Sequence, residues 1–212
     1  MVLSRLKARL QAFFVFLAGP LIKLSIKPNV ISFIGFVFAL FSSLCYWLWS
    51  VNPLMPFFAV FFLLASGLCD VLDGAIARAR GMATPFGGFL DSLLDRYADA
   101  FVLLGVVYGG LCGVLEGVLS IIGSLLVSYC RARAEVEGVK MESIGLAERA
   151  ERMLLLALFS LLGIYRREFI RYGVALLAAL THLTVIHRAF YVARRMAAFS
   201  AFSEPSSSPP QP

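Results

Sequence analysis

Long uncharged stretches, interrupted by short clusters of charge, set the pattern of this chain. No charged residue lies between Lys27 and Asp70, and only Glu116 lies between Asp99 and Arg131. An apolar helix of ~20 residues spans a bilayer, so each stretch has room for about two crossings. Backbone amides in hydrocarbon must bond internally, and nothing here alternates as a barrel strand does, so the crossings are read as helices. The pattern predicts six of them, over roughly 28–49, 53–80, 86–109, 113–139, 146–164 and 167–197. Trp47 and Trp49 suit an interface, and Asn52-Pro53 and Gly109-Gly110 break the chain between crossings.

Upstream, Arg5, Lys7 and Arg9 alternate with Leu3, Leu6, Leu10 and Phe13 at steps of three and four. That spacing describes an amphipathic helix over residues 1–22, lying in the interface. Residues 23–200 then form one membrane domain, and the Ser/Pro-rich residues 201–212 read as a disordered tail. The expected fold is an all-α polytopic membrane protein, six transmembrane helices preceded by an N-terminal interfacial helix. No internal repeat suggests a transporter built of two halves.

Composition agrees: 60% of residues are hydrophobic and 15% charged, against about 25% charged in a soluble domain. The net charge of +6 sits at helix ends, which suits anionic lipid headgroups and gives no reason to expect nucleic acid. Cys45, Cys69, Cys112 and Cys130 form no C-x-x-C pair and read as small apolar residues within helices. The first apolar stretch, 13–22, is not followed by a small-residue cleavage site, so no signal peptide is expected. Basic residues cluster before the first crossing, at the end of the second, from Arg131 to Arg152, and at Arg194 and Arg195. That alternation predicts a multi-pass protein of the cell membrane with both termini in the cytoplasm. Arg166, Arg167 and Arg171 break the rule.

The chemistry concentrates in Asp70, Asp73, Asp91 and Asp95, spaced by 3, 18 and 4 residues. Residues three or four apart share a helix face, so each pair points one way at the end of the second crossing and the start of the third. A short connection carrying Gly81, Pro85 and Gly87 is expected to make these two helices antiparallel neighbours with facing carboxylates. Four carboxylates at a bilayer edge repel one another unless they are paired or bind cations. Hard divalent ions, Mg²⁺ or Mn²⁺, take oxygen ligands. Two such ions ~4 Å apart suit displacement at a phosphate. Solvated acidic helix ends are the plain alternative, which does not account for the spacing.

The segment Asp70-x2-Asp73-Gly74-x2-Ala77-Arg78-x8-Gly87-x3-Asp91-x3-Asp95 resembles the signature of the CDP-alcohol phosphotransferase family at every fixed position. The resemblance implies that Asp70, Asp73 and Asp91 ligate metal, two Mg²⁺ ions with Mn²⁺ as substitute. Asp95 would be the general base and also touch the second ion. Asn29, Val30, Ile31 and Ser32, with Gly74, Arg78 and Thr84, would hold the CDP moiety of an activated lipid. Gly74 brings backbone close to a nucleotide, and Arg78 offers a permanent cation to a diphosphate. Asp99 extends the Asp91, Asp95 series by one turn, outside the signature, and reads as a buried, paired group.

A second cluster, Ser128-Tyr-Cys-Arg131-Ala-Arg133-Ala-Glu135 with Gly145 to Arg152, is similar to the branch of the family that makes phosphatidylinositol phosphate or its archaetidyl counterpart. It implies that Ser128, Arg131, Arg152 and Arg188 bind the phosphate of inositol 1-phosphate. Glycerol 3-phosphate is the alternative acceptor, and a divalent-cation carrier is the non-enzymatic one. Acids gathered at one interface, not strung through the membrane, disfavour the carrier. His182 and His187 read as structural. Gly109, Gly110 and Gly113 offer small-residue faces suited to a homodimer.

Overall fold

Proline opens three of the helices, where its missing N–H costs no hydrogen bond. In the computed structural model, α1 spans Pro28–Trp47, α2 Met55–Ala79 and α3 Pro85–Tyr108. They are followed by α4 (Val114–Val136), α5 (Arg149–Gly163) and α6 (Glu168–Ser203). The structure describes residues 19–22, 24, 26–141 and 144–203, the side chains of 198–203 excepted. Only the helical turn 19–22 of the expected N-terminal interfacial helix falls within them. Residues 204–212 of the expected tail also lie outside the described residues. Residues 201–203, read above as the start of that tail, continue α6. Nothing in 197–203 breaks a helix before Pro205.

All described regular structure is helical. Helices α1, α2, α4 and residues Glu168–Ala197 of α6 are long and apolar enough to cross a membrane. Helix α3 carries Asp91, Asp95, Arg96 and Asp99. Helix α5 has 15 residues, a rise of about 22 Å, short of a ~30 Å hydrocarbon core.

α1 packs along both α2 and α3, α6 along both α4 and α5, and the groups join through α2 with α5 and α3 with α4. The expected antiparallel packing of α2 along α3 is not found: α1 is the partner of each. Their separation leaves room between them for the carboxylates of both. The main core draws Ala39, Tyr46, Leu63, Val102, Val106, Leu156 and Val174 from these helices. Small residues allow close crossings, since a Cβ on Gly105 would overlap the Ser43 carbonyl and one on Gly123 would overlap Thr181. Buried hydroxyls bridge helices where no water competes: Tyr46 to Ser160 at 2.7 Å, and Ser120 Oγ to the Val174 carbonyl at 2.9 Å.

Candidate active site

The last turns of α2 and the first turns of α3 bring the aspartates together. Asp70, Asp91 and Asp95 offer carboxylate oxygens that all lie within 4.8 Å of one another. Asp73 is buried, and its Oδ2 accepts a hydrogen bond from Ser32 Oγ of α1 at 2.5 Å. All four aspartates and Ser32 line one gap of about 10 Å³. An oxygen-only donor set around a space of that size fits a hard divalent cation, and the mutual repulsion of the carboxylates favours one there.

On one flank lies a cavity of about 180 Å³, lined by Asn29, Ser32, Gly74, Arg78, Thr84, Asp73 and Asp91. Five of the seven residues expected to hold CDP therefore share it. Val30 and Ile31 do not line it: the helical period turns Val30 outward, 47% exposed, and buries Ile31 against Cys69, Leu72 and Ile76. Thr84 caps α3 by accepting from the Gly87 amide at 3.0 Å. At Gly74 the space a Cβ would take is bounded by Arg78 Nη1 at 3.1 Å. Its missing side chain lets the Arg78 guanidinium fold back against the helix.

On the other flank is a larger cavity of about 440 Å³ whose lining includes Asp70, Asp95, Ser128, Arg131, Arg152 and Arg188. All four residues expected at an acceptor phosphate meet here, from α4, α5 and α6. Arg188 is almost wholly enclosed, with Nε donating to the Ile144 carbonyl at 2.7 Å and Nη1 to the Val127 carbonyl at 2.6 Å. Arg152, also buried, donates from Nη1 to the Ala147 carbonyl at 2.8 Å and from Nη2 to Asp99 at 2.6 Å. Its Nε has no protein partner. Arg131 is half exposed and pairs with Glu135 at 2.9 Å. Ser128 Oγ donates to the Ser124 carbonyl at 3.3 Å.

The chain reaches this arrangement through a tight path before α5. Gly145 has φ +127, a value side-chain-bearing residues rarely adopt, and it lies against Thr184 and Arg188. The Leu146 amide donates to Thr184 Oγ1 at 3.2 Å, which seats the start of α5 against α6.

Several contributors escaped the sequence reading. Arg149, the first residue of α5, sets Nη1 2.9 Å from Asp70 and 2.8 Å from Asp95, with Nε 3.6 Å from Asp99. Glu135 and Glu148 line the larger cavity beside its arginines. The one signal for Arg149 was its place one turn before Arg152 on the same helix.

The sequence model for CDP-alcohol phosphatidyltransferases matches residues 25–186. An archaetidylinositol phosphate synthase of Pyrococcus horikoshii is 36% identical over 195 residues, covering 92% of this chain and 98% of the relative. The Methanothermobacter thermautotrophicus protein of the same name is 45% identical over 135 residues, 63% of this chain and 69% of its own length. Among solved structures, Mycobacterium tuberculosis phosphatidylinositol phosphate synthase with CDP-DAG bound matches with a TM-score of 0.71 at 24% identity, covering 94% of this chain and 98% of that one. The same protein in complex with manganese and citrate also has a TM-score of 0.71 at 24% identity, covering 94% of this chain and 93% of that one. At that identity the likeness speaks for the fold.

Proposed function

This chain belongs to the CDP-alcohol phosphatidyltransferase family, and from that premise we propose that it transfers the phosphatidyl or archaetidyl group of a CDP-activated lipid to a hydroxyl of inositol 1-phosphate, releasing CMP. One observation carries the reading: four aspartates stand between two cavities, one of about 180 Å³ bordered by Arg78 and the other of about 440 Å³ bordered by Arg131, Arg152 and Arg188. A donor and an acceptor that both bear phosphate need such an arrangement, cationic on either flank and anionic at the junction. The names of the relatives favour inositol phosphate as acceptor.

In this mechanism the smaller cavity takes the cytidine and diphosphate, with the Arg78 guanidinium facing phosphate oxygens. Arg131, Arg152 and Arg188, with Ser128, hold the acceptor's phosphate and fix its ring so that a hydroxyl faces Asp95. Asp95 accepts the hydroxyl proton as oxygen attacks the lipid-linked phosphorus, and the bond to CMP breaks with its electron pair leaving on CMP. Asp70, Asp73, Asp91 and Asp95 would hold divalent ions, which would supply charge neutralisation for the diphosphate and the departing nucleotide. The Ser32 hydroxyl fixes Asp73 for that task. The lipid chains enter sideways from the bilayer between helices.

The proposal includes six crossings, with α3 and α5 completing the bundle beside the four longer apolar helices. The site faces the cytoplasm, where CDP-lipid headgroup and acceptor meet. Purified protein is assayed for CMP release with CDP-archaeol or CDP-diacylglycerol and with inositol 1-phosphate or glycerol 3-phosphate, in Mg²⁺ and in chelator. We expect Mg²⁺-dependent CMP release that inositol 1-phosphate supports best. Preference for glycerol 3-phosphate would overturn the acceptor assignment. Metal flux in proteoliposomes without CMP would overturn the enzyme.

A further inference from the structure

We propose that Arg149 is a resident counter-cation of the carboxylate cluster, competing with divalent metal and so setting how tightly the metal is held. The inference rests on the metal reading above, and concerns a residue to which that reading gives no role. Arg149 reaches in from α5, while the carboxylates it meets come from α2 and α3. Its Nη1 stands 2.9 Å from Asp70 Oδ1 and 2.8 Å from Asp95 Oδ1. Asp70 and Asp95 are two of the three residues whose oxygens gather within 4.8 Å. A positive charge therefore already occupies one edge of the space that suits a cation.

The manner of contact separates a competitor from a structural clamp. Nε and Nη1 of Arg149 are buried, and neither has a partner aligned for hydrogen bonding. The guanidinium is held by charge at short range, and its Nε and Nη1 N–H groups are not aimed along the carboxylate lone pairs. A divalent ion can take those lone pairs without breaking a formed hydrogen bond, against a repulsion that Arg149 imposes. Arg152 shares an unpartnered Nε but is fixed by bonds from Nη1 to the Ala147 carbonyl and from Nη2 to Asp99.

Charge balance gives the consequence. Asp70, Asp73, Asp91, Asp95 and Asp99 are set against Arg96, Arg149 and Arg152, leaving an excess of two negative charges. Two divalent ions would turn that excess positive, and the diphosphate of a CDP-lipid would return it to neutral. The second ion is thus disfavoured until substrate arrives, and Arg149 supplies the charge that makes it so. Without Arg149 the cluster would hold metal tightly in the absence of substrate.

Removing a unit charge ~6 Å from a divalent ion changes its affinity about tenfold even at the dielectric constant of water. The test is Mn²⁺ binding to the full-length purified protein, with free Mn²⁺ read by electron paramagnetic resonance and no substrate present. Arg149→Gln and Arg149→Met, two neutral variants of different packing, are expected to bind Mn²⁺ about tenfold tighter or more. Arg149→Lys, which keeps the charge, is expected to stay near wild type. Neutral variants that bind Mn²⁺ no more tightly, or a lysine variant that tightens as much as they do, would overturn the competition. Absence of Mn²⁺ binding in wild type and in both neutral variants alike would remove the metal reading itself, an outcome distinct from the first.

Discussion

Truncating Arg152 to alanine is expected to weaken acceptor binding more than it slows turnover. The side chain is 7% exposed and lines the 440 Å³ cavity, and its buried Nε has no hydrogen-bond partner. A hydrogen bond to a charged group contributes about 1.5–3 kcal/mol, so loss of one phosphate contact raises the KM for inositol 1-phosphate roughly ten- to a hundredfold. The fold is affected as well. Asp99 loses its 2.6 Å partner and the Ala147 carbonyl its 2.8 Å donor. Breaking a buried ion pair costs about 3–5 kcal/mol, and the lower end applies because Arg149 remains 3.6 Å from Asp99. Initial rates of CMP release against inositol 1-phosphate, at saturating CDP-lipid, separate KM from kcat. Thermal unfolding of the same preparation reads the stability loss. An acceptor KM within threefold of wild type, with kcat reduced instead, would refute the phosphate role and leave Arg152 as a partner of Asp99 alone.

Two further outcomes follow from the same geometry. Asp95→Asn is expected to abolish CMP release while CDP-lipid binding, measured by calorimetry, persists; surviving turnover would remove Asp95 from the base role. Gly145→Ala places a Cβ at φ +127, against Thr184 Cγ2 and 3.4 Å from Arg188 Nε. Strain at such a backbone costs about 1–3 kcal/mol, so both a lower Tm and a raised acceptor KM are expected, and an unchanged Tm would show that the path before α5 relaxes freely.

Helix positions and the aspartate faces were legible because both rest on local rules: charge excluded from hydrocarbon, and a period that puts residues three or four apart on one side. The Asp70 and Asp91 neighbourhoods could be joined from sequence only by assuming that a short connection makes packed neighbours. That assumption gave no place to α1, which lies along both α2 and α3 and supplies Ser32 to Asp73. A long-range hydroxyl–carboxylate contact leaves no trace in spacing. The same holds for Arg149, whose guanidinium reaches carboxylates more than fifty residues away. Thr84 was visible as a candidate by resemblance, but its capping bond to Gly87 follows from the Pro85 that begins α3. Arg188 was matched only by its place near the end of the last crossing, and its enclosure by the Ile144 and Val127 carbonyls is a property of three segments meeting.

The basic residues that break the charge rule bear on topology once their partners are known. Arg171 contacts Glu116 at 2.8 Å, and Arg167 donates to the Gly109 carbonyl at 2.7 Å. Glu116 is the single charge in the stretch between Asp99 and Arg131, so one contact accounts for two irregularities. An exposed pair of this kind adds little stability, about 0–1 kcal/mol, and its value here is geometric. It places the first turn of α4 beside the first turn of α6, so these two packed helices start on the same side and run in parallel. Arg131 and Arg188, about four to five turns further along each helix, then arrive together away from that contact, where they line one cavity. Two parallel helices joined through α5 require the chain that carries α5 to run back between them. Its 15 residues are few for that return, and the chain between Gly145 and Arg149 lies against α6 at the site face. That seat against α6 fixes where α5 begins, and it sets Arg149 and Arg152, in the first turn of α5, beside the aspartates.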